Sequence, residues 1–242
     1  MKIGLIQTRG IGDIVIALPI ARNLVDQGHT VLWPIYAPYV GPFQEAAPYV
    51  QFVPLDGSEG DWMLPRPLAV LKENGCDRIV PLASHVRGYP QLVARPDLAA
   101  VMKFDQYKYA VTGVPFREKW NLQIVRNRDR EEALFARVVR EKDFVVCHLT
   151  GSDFRAQLDV QSMAGGRQVI EITNLTDNFF DWIAVIERAS MRIMIDSCFS
   201  NLTDQLGFPG KKIFLVRSAW EFTPVLLGDW LYLGQSPPHP PA

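Results

Sequence analysis

The sequence predicts an α/β protein built from two Rossmann-like domains that follow one another along the chain. Three observations predict it. Apolar runs too short for helices alternate with stretches of helical periodicity, the pattern of parallel sheets with crossover helices. The first such run, residues 2–6, leads through the glycine-bearing turn Gln7 to Asp13 into a helix and a second strand. The same grammar restarts at residue 143, after the polar run Asn127-Arg128-Asp129-Arg130. This divides the chain into an N-terminal domain over residues 1–128 and a smaller C-terminal domain over 129–235. The two are expected to face each other across a cleft, with a flexible Pro-rich tail at 236–242.

Each element has its own signal. Ile14, Val15, Leu18, Ala21, Leu24 and Val25 space as one helix face, and Gly28 stands where a left-handed residue would stop it. Residues 30–35 read as the second strand, and 36–43, with Pro38, Gly41 and Pro42, as a turn-rich aromatic segment. Strands are expected at 51–55 and 78–82, with a helix over 68–74 between them. A helix is expected over 97–107, then irregular chain that becomes extended at 121–125. The second half predicts a helix at 130–141, strands at 143–149, 168–172, 191–195 and 212–216, and helices at 177–189 and 200–206. Residues 150–167 are too few for a full helix–strand–helix, so this domain is expected to be trimmed.

Composition narrows the class. With 242 residues, 48% hydrophobic and 21% charged, the chain has enough apolar mass for a packed core. A net charge of −1, from 25 basic and 26 acidic side chains, makes no global case for nucleic acid or anionic membrane. Cys76, Cys147 and Cys198 are widely separated and lack metal spacing, so reduced thiols and no metal site are expected. No apolar stretch reaches the roughly 18 residues that span a bilayer, and the N-terminus lacks the pattern of a secretory signal. The expectation is a cytoplasmic protein without a membrane span.

Chemistry-bearing residues fall at strand ends. Gly10 and Gly12 do not form a G-x-G-x-x-G or a phosphate loop, because Asp13 follows them. A carboxylate there caps a helix N-terminus, or it serves as a general base toward a neutral hydroxyl ligand, since it would repel a pyrophosphate. In the second half, the run 193–195 delivers Asp196 and Ser197 to a helix start whose free N–H groups can hold a phosphate oxygen. There too, a plain cap is the alternative.

Taken together, the two stretches resemble the ADP-heptose:lipopolysaccharide heptosyltransferase family. Gly12-Asp13 with Pro19 is similar to the family's Gly-Asp-x5-Pro after the first strand. Asp196-Ser197, Asn201-Leu202 and Leu206-Gly207-Phe208-Pro209 are similar to its Asp-Ser/Thr-Gly-x-x-His-Leu-x-x-Ala-x-Gly-x-Pro, with Cys198 and Asn201 replacing the glycine and histidine. Asn174-Leu175-Thr176 resembles the Asn-Leu-Thr upstream of that strand. The resemblance implies the B-type glycosyltransferase fold and metal-independent, inverting transfer from a nucleotide-sugar donor. It implies Asp13 as the base, Asp196 on donor sugar hydroxyls, Ser197 at the diphosphate, and Thr150-Gly151-Ser152 as the phosphate-contacting turn. Asn174 and Asn201 join the donor set through the same motifs, and Arg155 is the nearest cation where the family's lysine is missing.

Other residues are placed by position alone. Glu171, at a strand end, is a candidate for ribose hydroxyls, and Arg217, after the final strand, for the phosphates. Arg9, Gly12, Tyr36, Tyr39, His85 and Arg87 form the candidate acceptor side, with the two tyrosines as an aromatic platform or as packing. His148 reads as a core residue, and Trp182, Trp220 and Trp230 as core or domain-contact residues. The acceptor is a surface glycan or, in a phage-type enzyme, a modified DNA base held in a groove near Arg87, Arg95, Lys103 and Lys108. A non-catalytic nucleotide or nucleotide-sugar binding protein is the reading of a different class, and a sugar-nucleotide epimerase a third.

Overall fold

The computed structural model describes residues 1–57, 65–85, 90, 93–151 and 155–234, apart from the side chain of Trp220. The tail from residue 235, the loop residues 86–89 and Ser152 lie outside them. The chain divides into two units, Met1–Val125 and Arg126–Ala242.

In the first unit β1 (Lys2–Ile6), α1 (Ile11–Asp26), β2 (Thr30–Tyr36), α2 (Ala37–Ala46), β3 (Gln51–Leu55), α3 (Pro65–Glu73) and β4 (Arg78–Pro81) alternate. The strands form a parallel sheet in the order β3-β2-β1-β4. The chain therefore steps outward from β1 and returns to its other side, which leaves a crevice between the carboxyl ends of β1 and β4. The β1–β2 register runs from Lys2–Thr30 to Gly4–Leu32, and Pro34 has no N–H to extend it. The carbonyl of Gln7 instead accepts from the Trp33 indole at 3.1 Å. Gly28, at φ +83°, ends α1 with the paired bonds Gly28 N to Val25 O and His29 N to Leu24 O, a Schellman motif.

Beyond β4 come α4 (Pro96–Ala99), α5 (Phe104–Thr112) and a 3-10 turn (Phe116–Trp120), the last two packed on α1. Two expectations are corrected here. Residues 36–43 are mostly helix, because Pro38 lies in the first turn of α2, where its missing N–H costs nothing. The single helix expected over 97–107 is two, because Lys103 starts a new one with its N–H bonded to Gln106 Oε1 at 3.1 Å. Residues 121–125 enter no strand, although Val125 N reaches Ala46 O at 2.8 Å.

The second unit opens with α6 (Arg128–Val138), capped by Asn127 Oδ1 on Arg130 N at 3.2 Å. There follow β5 (Phe144–His148), α7 (Val160–Ala164), β6 (Gln168–Glu171), a 3-10 turn (Phe179–Trp182), α8 (Ile183–Arg188), β7 (Met191–Ile195), α9 (Cys198–Gln205), β8 (Lys211–Leu215) and β9 (Trp230–Leu233). The parallel sheet has the order β6-β5-β7-β8-β9, so its switch point lies between β5 and β7. Val145, Cys147, Ile193, Ile195, Ile213 and Leu215 form the core on one face, each fully buried aliphatic side chain contributing about 1.5–3 kcal/mol. Arg192 is fully buried on β7 and donates to the carbonyls of Ile186, Glu187 and Pro209, closing the end of α8.

The sequence reading missed α7 and β9. The first is a single five-residue helix capped by Asp159 on Ser162 N at 3.1 Å. The second is tied down by the buried Asp204, which accepts from Leu227 N at 2.8 Å and Trp230 Nε1 at 3.0 Å. The expected helix over 177–189 begins as the 3-10 turn, with Asn178 Oδ1 accepting from Phe180 N at 3.0 Å. Trp182 and Trp230 are buried as expected. The three cysteines are free thiols. Among the described residues, no helix is long and apolar enough to cross a membrane.

Candidate active site

In the first unit the chain leaves β1 at Gln7, and the left-handed Gly10 (φ +80°) turns it into α1. Gly10 holds the N-cap position, and Asp13 is the third residue of that helix. The capping alternative is thus set aside: the Asp13 carboxylate, 36% exposed, instead pairs through Oδ1 with Lys108 Nζ at 2.9 Å. Lys108 is only 2% exposed and also donates to Gln7 Oε1 at 2.7 Å and Leu82 O at 3.4 Å. The carboxylate stands at the switch point, where a parallel sheet presents ligands.

The candidate acceptor residues gather around this turn. Gly12 lies in the same first helical turn as Asp13. Tyr36 N donates to Thr8 O at 2.9 Å, which brings the end of β2 beside the turn. The Arg9 guanidinium lies over the Tyr36 ring, 4.6 Å from its centroid. Tyr36 and Tyr39 meet edge to face at 87°, with centroids 5.2 Å apart. His85 follows β4 with its Nδ1 2.9 Å from Ser84 Oγ. Arg87 is outside the described residues.

Of the four cations named for a DNA groove, Arg87 lies outside the described residues. Lys108 is buried against Asp13, and Arg95 makes a two-point bond to Asp97 at 2.9 and 2.5 Å. Lys103 is the half-buried cap of α5.

In the second unit most of the donor candidates converge on the β5/β7 crevice. Thr150 and Arg155 form an isolated antiparallel bridge after β5, and Arg155 Nη1 donates to Thr150 Oγ1 at 2.5 Å. Arg155 also grips Glu171 at 2.7 and 3.1 Å, so this carboxylate is already engaged by a cation. Both partners are substantially exposed, and such a pair is worth about 1 kcal/mol or less, so a ligand can displace it. Arg217 Nε donates to Asp196 O at 3.1 Å. The guanidinium passes over Gly151, where a Cβ would lie 3.0 Å from Nη1.

Asp196 is buried at the end of β7, and Ser197 caps α9 in a reciprocal box with Ser200. Ser197 Oγ is also 3.0 Å from His148 Nδ1. His148 ends β5, packed on Phe199, and desolvation by burial lowers its pKa to about 4. At neutral pH it is a neutral hydrogen-bonding partner. Burial pushes the Cys198 thiol up to about 12, so it is no thiolate nucleophile at neutral pH.

Two further donor candidates are Asn201, beside Ser197, and Asn174. Asn201 is 2% exposed within α9, its Nδ2 bonded to Ser197 O at 2.9 Å. Asn174 is exposed in the loop after β6, near the separate ion-pair network of Arg130, Asp177 and Asp181. Ser152 is outside the described residues. The residues missed in the first unit are Gln7 and, as a partner of Asp13, Lys108. A lysine beside Tyr107 and Tyr109 on a buried helix face was the available signal. Among the described residues, no group of three or more His, Cys, Asp or Glu could hold a metal ion.

No family model matches the sequence, and no curated protein matches it. Solved glycosyltransferases do match in fold. A glycosyl transferase of family 9 from Veillonella parvula DSM 2008 has a TM-score of 0.64 at 11% identity, over 97% of this chain and 88% of that one. The ADP-heptose LPS heptosyltransferase II of E. coli has a TM-score of 0.61 at 14% identity, over 96% of this chain and 90% of that one. The iron-containing dodecameric glycosyltransferase TibC from enterotoxigenic E. coli H10407 has a TM-score of 0.56 at 13% identity, over 88% of this chain and 57% of that one. The fold is that of these glycosyltransferases: two parallel α/β sheets, as the sequence predicted. The resemblance read from residues 12–19 and 196–209 is matched at the level of the fold.

Proposed function

We propose that this chain is an inverting glycosyltransferase that moves a sugar from a nucleotide-sugar co-substrate to an acceptor hydroxyl, without a bound metal. The observation that carries the reading is the Asp13 carboxylate, one-third exposed at the switch point of the first unit. Asp13 takes the proton of the acceptor hydroxyl, and the acceptor oxygen attacks the anomeric carbon from the face opposite the leaving group. The bond from that carbon to the diphosphate oxygen breaks, and its electron pair leaves with the nucleoside diphosphate. The second unit supplies groups suited to the departing charge: Arg155, Arg217 and the start of α9 behind Ser197. Glu171 is placed for ribose hydroxyls once Arg155 turns to the phosphates.

The acceptor we favour is a glycan, since Lys108, one of the cations named for a DNA groove, is buried against Asp13. An ADP-linked sugar is the first donor to test, because one similar structure is an ADP-heptose LPS heptosyltransferase. The experiment is a panel of ADP-, GDP-, UDP-, CDP- and dTDP-linked sugars with glycan acceptors, read by nucleoside diphosphate release and by NMR of the product. The expected product has the anomeric configuration opposite to that of the donor. A retained configuration rejects the base mechanism. Binding of nucleotide sugars without any release supports the non-catalytic binding protein instead.

A further inference from the structure

We propose that Lys108 is a positioning residue for the Asp13 carboxylate, an assignment that rests on Asp13 being the base. The Lys108 ammonium has three N–H donors and meets three acceptors: Asp13 Oδ1 at 2.9 Å, Gln7 Oε1 at 2.7 Å and Leu82 O at 3.4 Å. Those acceptors belong to the first turn of α1, the residue after β1 and the residue after β4. These are the three pieces of chain that border the switch point of the first unit. One cation from α5 therefore fixes all three against one another.

Burial divides the roles within the pair. Lys108 is 2% exposed and Asp13 36%, so the ammonium lies behind the carboxylate and leaves its outer side open. Stability does not require such a group. Desolvating an ammonium costs several kcal/mol, which about cancels its attraction to a carboxylate, and an apolar side chain of similar volume often serves as well. What an apolar residue cannot supply is direction. The terminal torsion of an aspartate is broad, so an unheld carboxylate samples a wide range of orientations. The bond to Oδ1 removes that freedom, and the bare Cα of Gly10 leaves room for Oδ2, where an added Cβ would come within 2.6 Å. A base misplaced by about 1 Å can lose on the order of 100-fold in rate.

The test uses the full chain, the nucleotide sugar that turns over fastest in the panel above, and Lys108→Met alone and together with Asp13→Asn. The expected result is a fall in kcat of about 100-fold, with donor KM and the donor-induced rise in melting temperature unchanged. In the Asp13→Asn background, Lys108→Met should change the residual rate by less than about twofold, because the group it orients is gone. Should Lys108→Met not melt cooperatively, Lys108→Gln takes its place with the same expectations. Wild-type kcat in the single variant, or an equal loss in both backgrounds, overturns the positioning role and leaves Asp13 as the base. Undiminished turnover of Asp13→Asn by itself overturns the base assignment and the role of Lys108 with it.

Discussion

Gly10 shows how one residue sets the geometry of the candidate site. Its φ of +80° lies in the left-handed region, where a side chain costs roughly 1–2 kcal/mol, and a Cβ would press on Asp13 Oδ2. Gly10→Ala is expected to lower the melting temperature and also to reduce kcat beyond what the lost stability explains, since the carboxylate must shift. Thermal melts and kinetics on the same preparation check this. A variant with wild-type kcat would show that a Cβ at this turn leaves the carboxylate in place. Asp13 itself was legible in the sequence because strand, glycine turn, carboxylate and helix lie within a few residues of one another. Lys108 was not, because it meets Gln7 across 101 positions and only the packing of α5 brings it there.

At the scale of elements, the central strands and α1 were legible from apolar runs and from Gly28, because burial on both faces leaves a continuous hydrophobic signal. Two of the misses come from polar bonds that composition does not reveal. Lys103 and Gln106 divide one expected helix, and Asp204 holds the edge strand β9 through Trp230. His148 ends β5 with its Nδ1 beside Ser197 Oγ. Its environment gives a pH prediction. Burial lowers its folded-state pKa to about 4 from 6.5, so between those values the unfolded chain binds the extra proton. Stability of the second unit is therefore complete above pH 6.5 and falls as the pH drops toward 4, by up to about 3 kcal/mol. Urea unfolding of wild type and His148→Gln across that range should show a shallower acid loss in the variant. Parallel curves would contradict the assignment.

At the scale of the whole molecule, each unit places its chemistry-bearing residues at its own switch point, β1/β4 in the first and β5/β7 in the second. That placement follows from parallel strand order, which is why a sequence with no matching family model still revealed where to look. The central claim is that Asp13 removes the acceptor proton while the second unit alone holds the donor nucleotide. The most direct measurement compares wild type with Asp13→Asn, by thermal shift with the donor nucleoside diphosphate and by rate of diphosphate release. The account predicts the same shift in both proteins and a loss of turnover of at least about 100-fold in the variant. An Asp13→Asn protein that keeps its wild-type rate, or that no longer binds the nucleotide, would contradict it.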